Sequence, residues 1–341
     1  MKVVDVAAAL AGYGDRIRVA LCDHLRPREP RRHLYDPAAE YAWRGGRMLR
    51  PSLCIAAARC FGASIEEAIH AAAGIELLHN AFLVHDDVED ESDERRGRPT
   101  LHAMHGIGLA VNAGDGLLLL GLEALLANRA RLGPSLTLAL LEDACRMARE
   151  TVEGQALDLG WRRDNALSLQ DDDYLRMVLK KTCWYTTIFP LRTGVLIGTR
   201  DPSRLDRMLS FGFFLGAAFQ IRDDLLNLEG DPRRYGKEIA GDLWEGKRTL
   251  MLVHFLQRTT AAERARLRAF LDAPRAERSP DDVAWLRERM DTYGSLEHAR
   301  AVAHALAGAA QHEFEREFRT VPDGPDKALL AAMPAWVLSR E

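Results

Sequence analysis

Residues 75–100 read IELLHNAFLVHDDVEDESDERRGRPT, and no other stretch says more about the fold and the chemistry of this chain. On an α-helix, side chains three or four residues apart lie on one face. Four side chains of this stretch share a face in that way: His79, Phe82, Asp86 and Asp90. Asp87 lies beside Asp86, so a partly apolar helical face ends in a cluster of three carboxylates.

The cluster predicts a cation site, because three neighbouring carboxylates repel one another unless positive charge lies between them. Oxygen ligands favour Mg²⁺ over zinc. Arg95, Arg96 and Arg98 follow at once and can hold phosphate oxygens through forked hydrogen bonds. A lone DDxxD is a solvated helix end in about four cases of five, and the His85-Asp86 pair alone would also fit an HD-type metal phosphohydrolase.

A second stretch repeats this design. Residues 219–250 read FQIRDDLLNLEGDPRRYGKEIAGDLWEGKRTL, and basic residues, Lys237 and Lys247, again follow the acidic ones. Its polar helical face contains Gln220, Asp223, Asp224 and Asn227. Two such helix ends that faced each other would clamp a diphosphate through bridging Mg²⁺ ions. An apolar shaft beneath them would exclude water from a carbocation.

Helical periodicity dominates the remaining chain, and no segment shows convincing strand alternation. We predict an all-α fold, a single domain over residues 1–341, with about ten to thirteen helices around a central apolar cavity. The predicted helices are 4–25, 38–60, 65–93, 107–131, 135–159, 171–188, 203–229, 244–257, 261–272, 280–293, 296–319 and 324–338.

The composition excludes several classes of protein. The net charge of -4 and the pI near 6.3 argue against general nucleic-acid binding. The five cysteines show no zinc spacing, which indicates reduced thiols in the cytoplasm. The N-terminus does not resemble a signal peptide, and the most apolar run, residues 116–122, is too short to span a bilayer. We therefore expect a cytoplasmic protein without stable membrane insertion.

The motifs resemble those of the trans-isoprenyl diphosphate synthase (polyprenyl synthetase) family, over most of the chain, and most closely a geranylgeranyl diphosphate synthase. GGRMLRP at 45–51 is similar to the family's GGKRLRP, with Arg47 in place of lysine and Met48 in place of the first arginine. The resemblance implies an isoprenoid-synthase-like bundle. It also implies that four residues hold the diphosphate of isopentenyl diphosphate: Arg47, Arg50, His79 and Arg96.

The resemblance implies further site residues. Catalytic roles fall to Asp86, Asp87, Asp90, Lys181, Thr182, Gln220, Asp223 and Asp224. The resemblance implies three Mg²⁺ ions per active site, bound by Asp86, Asp87, Asp90, Asp223, Asp224 and Asn227. The residues implied to bind the allylic diphosphate are Arg95, Lys181, Thr182, Gln220, Lys237 and Lys247. Gln155 and Asp158 are implied to support this site. Catalysis then consists of positioning and charge neutralisation, and no Ser, Cys or His nucleophile is required.

Product length in the family depends on the residues four and five before the first Asp, here Phe82 and Ala81. One bulky and one small residue favour geranylgeranyl diphosphate, and Asn227, where most members have Asp, is read as a mark of that subtype. A farnesyl diphosphate synthase, a class I terpene cyclase and a catalytically silent partner subunit are the alternatives. The resemblance also implies a homodimer that acts on isopentenyl and allylic diphosphates.

Overall fold

The computed structural model describes residues 4–230 and 240–340, and almost all of the regular structure in them is α-helical, which confirms the predicted fold class. Contacts divide the chain into two compact units, each built from three separate segments. The first comprises Met1–Ala148, Tyr185–Gly212 and Gln311–Met333, and the second Arg149–Trp184, Phe213–Ala310 and Pro334–Glu341, in each case without the undescribed residues. The single-domain organisation stays a prediction.

The helices of the first unit surround one long helix, Ile65–Glu89, called here the first-motif helix. It packs against Leu49–Cys60 on one side and Ile107–Ala127 on another. The helices of this unit are Val6–His24, Asp36–Trp43, Leu49–Cys60, Ile65–Glu89, Leu101–His105, Ile107–Ala127, Arg129–Leu132 and Phe189–Thr199, with a π-helical turn at Arg31–Tyr35 and a 3₁₀ turn at Pro202–Arg207.

The second unit carries the other acidic motif near the end of Met208–Glu229, called here the second-motif helix. Its own helices are Asp171–Val178, Gly241–Glu245, Leu250–Arg258, Ala261–Asp272 and Pro280–Thr292, with a 3₁₀ turn at Arg275–Glu277. Five helical segments have residues in both units: Pro134–Arg163, the π-helix Leu179–Ile188, Met208–Glu229, Ser295–Glu317 and Pro325–Ser339.

The first-motif helix begins at a capping box, in which Ser64 and Glu67 satisfy each other's backbone N–H groups. Its middle is buried on nearly all sides, which small residues permit. A Cβ on Gly74 would lie 3.0 Å from the Gly121 carbonyl oxygen, so this glycine lets the helix Ile107–Ala127 approach closely. The helix ends at Asp90, its C-cap residue, and so delivers the acidic motif at its end.

Most predicted helices lie within a few residues of their observed positions, but the predicted helices 38–60 and 244–257 are wrong. The second is broken at residues 246–249, between the helices Gly241–Glu245 and Leu250–Arg258. The predicted helix 38–60 is broken at residues 44–48, where Gly45 and Met48 have φ angles of 85° and 51°. The predicted helix 171–188 changes to π-helix at Leu179, and an unpredicted helix, Phe189–Thr199, follows it. The short hairpin of Glu94–Arg95 and Arg98–Pro99 was not predicted, because strands of two residues are too short to show alternation.

One segment of the described chain, Ile107–Leu132, is long and apolar enough to cross a membrane by length and composition alone. About half of it is buried, since 44% of its most apolar window lies inside the structure. Core helices of soluble proteins pass the same test, so the feature is weak support for a membrane span. Some of its apolar side chains nevertheless face outward, including Ile107, Leu119 and Leu126.

Candidate active site

A tight hairpin directly after the first-motif helix presents the arginines. Arg95 pairs with Arg98 across the two short strands, which leaves Arg96 and Gly97 as the turn. Both have positive φ, 57° and 70°, as a type I′ turn requires. Such a φ is unusual for arginine and marks local strain of the kind found at functional sites. A Cβ on Gly46 would lie 2.9 Å from Arg96 Nη2, so this guanidinium rests on the loop at residues 44–48.

Arg50, His79 and Arg96 form what we call the cation pocket, all within the first unit. Arg50 Nη1 lies 3.2 Å from His79 Nε2, and Arg50 Nη2 donates to Thr186 Oγ1 at 2.9 Å. Because a guanidinium can only donate, Nε2 must accept, and His79 is the neutral tautomer with its proton on Nδ1. Burial, then the charges of Arg50 and Arg96, hold the pKa of His79 well below its usual value.

The cation pocket holds donors that lack acceptors. Arg50 Nε, His79 Nδ1 and Arg96 Nη1 are buried, and none finds a hydrogen-bond partner in residues 4–230 and 240–340. Within the same residues neither arginine forms an ion pair with a carboxylate. The nearby carboxyl group of Glu76 has a pKa raised by burial, although the charges of Arg96 and Arg50 act to lower that pKa. Buried donors without acceptors are costly, and the oxygens of a diphosphate would satisfy them. Arg47 is exposed in the same loop.

The first acidic motif is organised by Arg95. Its Nε donates to Asp87 Oδ1 at 2.6 Å, and its Nη2 to Asp86 Oδ2 at 3.3 Å. The Tyr41 hydroxyl donates to the other Asp87 oxygen, Oδ2, at 2.6 Å. Burial raises the pKa of Asp87, although Arg95 and Tyr41 oppose this. Both oxygens of the buried Asp87 therefore have protein partners, whereas the side chain of Asp86 is 22% exposed.

Two further residues of this motif have distinct positions. Asp90 is buried at the C-cap, where its N–H donates to the Asp86 carbonyl at 2.8 Å. His85 turns toward the helix Ile107–Ala127, with Nε2 3.3 Å from the Val111 carbonyl and 3.4 Å from Asp115 Oδ1. A contact of this kind links two helices, and the HD-type phosphohydrolase receives no support from it.

In the second unit a chain of hydrogen bonds joins four side chains. Thr182 donates to Gln220 Oε1 at 3.1 Å, and Gln220 Nε2 donates to Asp224 Oδ1 at 2.7 Å. The Tyr174 hydroxyl donates to the second oxygen of Asp224 at 2.7 Å. Burial, then the charge of Asp242, raises the pKa of Asp224 to about 8. Three predicted residues thus lie together, and Tyr174 joins them without any signal in the sequence.

Lys181 lies on the π-helix Leu179–Ile188 and donates to Asp158 Oδ2 at 2.6 Å. Burial alone would raise the pKa of Asp158, but Lys181 and Arg162 outweigh it and lower that pKa. A Cβ on Gly154 would lie 2.1 Å from the backbone nitrogen of Lys181, so only glycine permits this approach of the two backbones. Gln155, next in sequence, is half-buried.

The remaining residues of the second motif are held by neighbours of their own unit. Arg340 Nη2 lies 3.1 Å from Asp223 Oδ1, and the Asp223 side chain is 34% exposed. Asn227 Oδ1 accepts the backbone N–H of Asp242 at 3.1 Å. A neutral acceptor suits this buried position, because the nearby Asp224 and Asp242 already carry carboxylates.

Of the two trailing lysines, Lys247 lies 2.6 Å from Glu245 Oε2. Lys237 lies outside the described residues. Neither sequence pattern nor spacing pointed to Arg340, which lies far from the motif along the chain.

The described residues contain no group of three His, Cys, Asp or Glu side chains already arranged around a metal ion. The donor chemistry nevertheless fits Mg²⁺, because both motifs offer carboxylate oxygens and neither offers a thiolate. The imidazole of the first motif, His85, is turned toward the helix Ile107–Ala127. The side chains of Asp86 and Asp223 are 22% and 34% exposed. Buried negative charge around Asp224, seen in its raised pKa, would also be relieved by a cation.

The residues expected to limit product length lie one turn before the first acidic motif. Ala81 is fully buried, and Phe82 is half-buried. The Phe82 ring meets the Tyr185 ring edge-on, with centroids 5.6 Å apart. Their role as a floor stays a prediction.

Comparisons with known proteins agree on one family. The model described as polyprenyl synthetase matches residues 31–290. A short chain isoprenyl diphosphate synthase of Methanothermobacter thermautotrophicus is 32% identical over 100% of this chain and 99% of its own length.

Two solved structures are also similar. One is a geranylgeranyl pyrophosphate synthetase from Pyrococcus horikoshii, with a TM-score of 0.86 and 28% identity over 99% of each chain. The other is a geranylgeranyl pyrophosphate synthase from Corynebacterium glutamicum, solved with isoprenyl diphosphate and magnesium, with a TM-score of 0.80 and 26% identity over 98% of each chain.

Replacement of Arg50 by Met should weaken the binding of inorganic diphosphate by about 10- to 100-fold, since a charge-assisted hydrogen bond contributes about 1.5–3 kcal/mol. Isothermal titration calorimetry without divalent cations measures the effect. Arg16→Met is the matched control, because Arg16 pairs with Glu66 at an exposed surface of the same unit. Equal affinities for the two variants would contradict the assignment of the cation pocket.

Proposed function

Since the chain belongs to the polyprenyl synthetase family and is therefore a trans-prenyltransferase, we propose that it makes geranylgeranyl diphosphate from isopentenyl diphosphate and allylic diphosphates. The cation pocket is the observation that carries the proposal. Its buried donors without acceptors suit one diphosphate, and within the described residues neither Arg50 nor Arg96 forms an ion pair with the carboxylates that suit metal ions. A prenyltransferase of this kind needs both, because it binds two diphosphates and breaks the bond to only one of them.

In this proposal the cation pocket binds the diphosphate of isopentenyl diphosphate. Arg50 and Arg96 donate to its oxygens, and His79 donates through Nδ1–H. Arg47 adds a further charge from the exposed loop. The substrate is held without being activated, which suits a nucleophile whose own carbon–oxygen bond must stay intact.

The allylic diphosphate belongs with the acidic motifs. Asp86, Asp90 and Asp223 would hold Mg²⁺, three ions in all, with Asp224 and Asn227 in support, and Asp87 would act by fixing Arg95. Bound Mg²⁺ supplies neutralisation of the charge that develops on the leaving diphosphate. Arg95, Lys181, Lys237 and Lys247 add positive charge at the same substrate.

The bond changes need no covalent nucleophile from the protein. The allylic carbon–oxygen bond breaks, and the diphosphate leaves with the electron pair. The double bond of isopentenyl diphosphate then attacks the allylic cation, and the released diphosphate accepts the proton that is lost. Lys181 and Thr182, fixed by Asp158 and Gln220, line the allylic side, and apolar walls exclude water from the cation.

Product length is proposed from the residues below the first motif together with the similar proteins, several of which are geranylgeranyl diphosphate synthases. Phe82 would narrow the shaft, while Ala81, which is fully buried, is too small to narrow it further. A farnesyl diphosphate synthase is the nearest alternative. A terpene cyclase would leave the cation pocket unexplained, and a silent subunit would be expected to lack the acidic motifs.

We further propose a cytoplasmic homodimer. Ile107, Leu119 and Leu126 are 63%, 60% and 49% exposed along one helix, and Leu138 is 58% exposed. Exposed apolar side chains of this number on two helices suit a second copy of the chain. Sedimentation equilibrium of the purified protein measures the mass, and a monomer at micromolar concentration would contradict the proposal.

Incubation of the purified protein with Mg²⁺, isopentenyl diphosphate and each allylic starter tests the function. We expect linear diphosphates, mainly the C20 product, by chromatography of the dephosphorylated lipids. Cyclic hydrocarbons would indicate a cyclase, a C15 end product a farnesyl diphosphate synthase, and absence of turnover a silent subunit.

Replacement of Phe82 by Ala should lengthen the product by one or more isoprene units, because removal of the ring deepens the shaft. The ratio of C25 and longer products to C20, measured under the same conditions, gives the effect. Phe61→Ala is the matched control, since Phe61 packs against Phe318 elsewhere in the same unit. An unchanged product distribution in the Phe82 variant would refute its role as a floor.

A further inference from the structure

The ring of Tyr185 contacts three residues, two of which belong to the cation pocket and one of which is proposed to limit product length. It stacks on His79, with centroids 5.7 Å apart and planes 22° from parallel. The Arg50 guanidinium carbon lies 4.7 Å from the ring centroid, over the ring face. Its third neighbour is Phe82, met edge-on at 5.6 Å. Tyr185 therefore joins two members of the cation pocket to the residue proposed to limit product length.

The backbone around Tyr185 is fixed by the same unit. The next residue, Thr186, is fully buried and accepts the hydrogen bond from Arg50 Nη2. Thr187 donates to the Gly212 carbonyl at 2.6 Å. A Cβ on Gly212 would lie 2.9 Å from Ile188 Cα, so glycine is needed for this close approach. The end of the π-helix Leu179–Ile188 is thus held firmly, and Tyr185 and Thr186 with it.

The orientation of Arg50 depends on these contacts because no carboxylate fixes it within the described residues. Two hydrogen bonds, to His79 and Thr186, fix the edge of the guanidinium, and the Tyr185 ring fixes its face. A cation over an aromatic face is stabilised by the ring's quadrupole, most strongly away from water. The hydroxyl of Tyr185 forms no hydrogen bond to residues 4–230 or 240–340, so the ring and not the hydroxyl supplies the contact.

We propose that Tyr185 is a positioning residue that couples the binding of isopentenyl diphosphate to the length of the product. It holds Arg50 and His79 in the orientation that receives the diphosphate. The same ring supports Phe82 at the wall of the shaft. This inference rests on the proposed function, and it assigns Tyr185 no direct part in bond making or bond breaking.

Steady-state kinetics of Tyr185→Leu tests the inference. We expect the KM for isopentenyl diphosphate to rise about tenfold, the size of a desolvated cation–π contact, while the KM for farnesyl diphosphate changes less than twofold. The C25 fraction of the product should rise in the same variant. Tyr185→Phe keeps the ring and should restore both properties. The affinity for inorganic diphosphate, measured by calorimetry, should fall in parallel with the rise in KM.

Phe61→Leu serves as the matched control for loss of an aromatic contact in the same unit, and it should leave both KM values unchanged. Thermal unfolding of all variants shows whether they are folded. Equal rises in both KM values, or no rise in either, would overturn the inference for a folded Tyr185→Leu. An inactive wild-type protein would instead contradict the proposed function, and the calorimetric arm would then still decide whether Tyr185 positions the cation pocket.

Discussion

Partly buried positive charge, with no carboxylate ion pair among the described residues, is the constraint on which the cation pocket depends. Arg50 and Arg96 lie in the first unit, their donors are partly unsatisfied within the described residues, and His79 beside them is held neutral. A protein that only needed stability would pair such groups or replace them with apolar ones. The local structure instead secures them: a positive φ at Arg96, a glycine beneath its guanidinium and an aromatic face against Arg50.

The acidic motifs, in contrast, contain an excess of negative charge. In the first unit one arginine, Arg95, serves two carboxylates, and in the second unit burial and Asp242 raise the pKa of Asp224. In each motif one Asp is buried among protein partners while the side chain of another is partly exposed. This division suits two adjacent Asp residues to different tasks: the buried Asp87 and Asp224 fix the geometry, and the more exposed Asp86 and Asp223, although paired with Arg95 and Arg340, can be reached by a ligand.

The sequence predicted the helical fold and the local groupings because both depend on short-range spacing. Residues three or four apart on one helix must share a face, which placed His79 near Asp86 and Gln220 near Asp224. Helical spacing cannot predict side chains that make contact from distant segments of the chain. In the first unit Tyr41 and Thr186 contact motif residues from distant segments, and in the second unit Tyr174 and Arg340 do the same. No local pattern marks these four residues. The break at residues 44–48 and the π-helix at Leu179–Ile188 likewise depend on packing against other segments, where glycines permit close approach.

The most direct measurement is a crystal structure with isopentenyl diphosphate, a non-ionisable allylic analogue and Mg²⁺. The account predicts that Arg50, His79 and Arg96 contact the isopentenyl diphosphate oxygens, and that carboxylates of both motifs coordinate metal ions bound to the analogue. Isopentenyl diphosphate bound away from these three residues, or metal ions held by one motif alone, would contradict it.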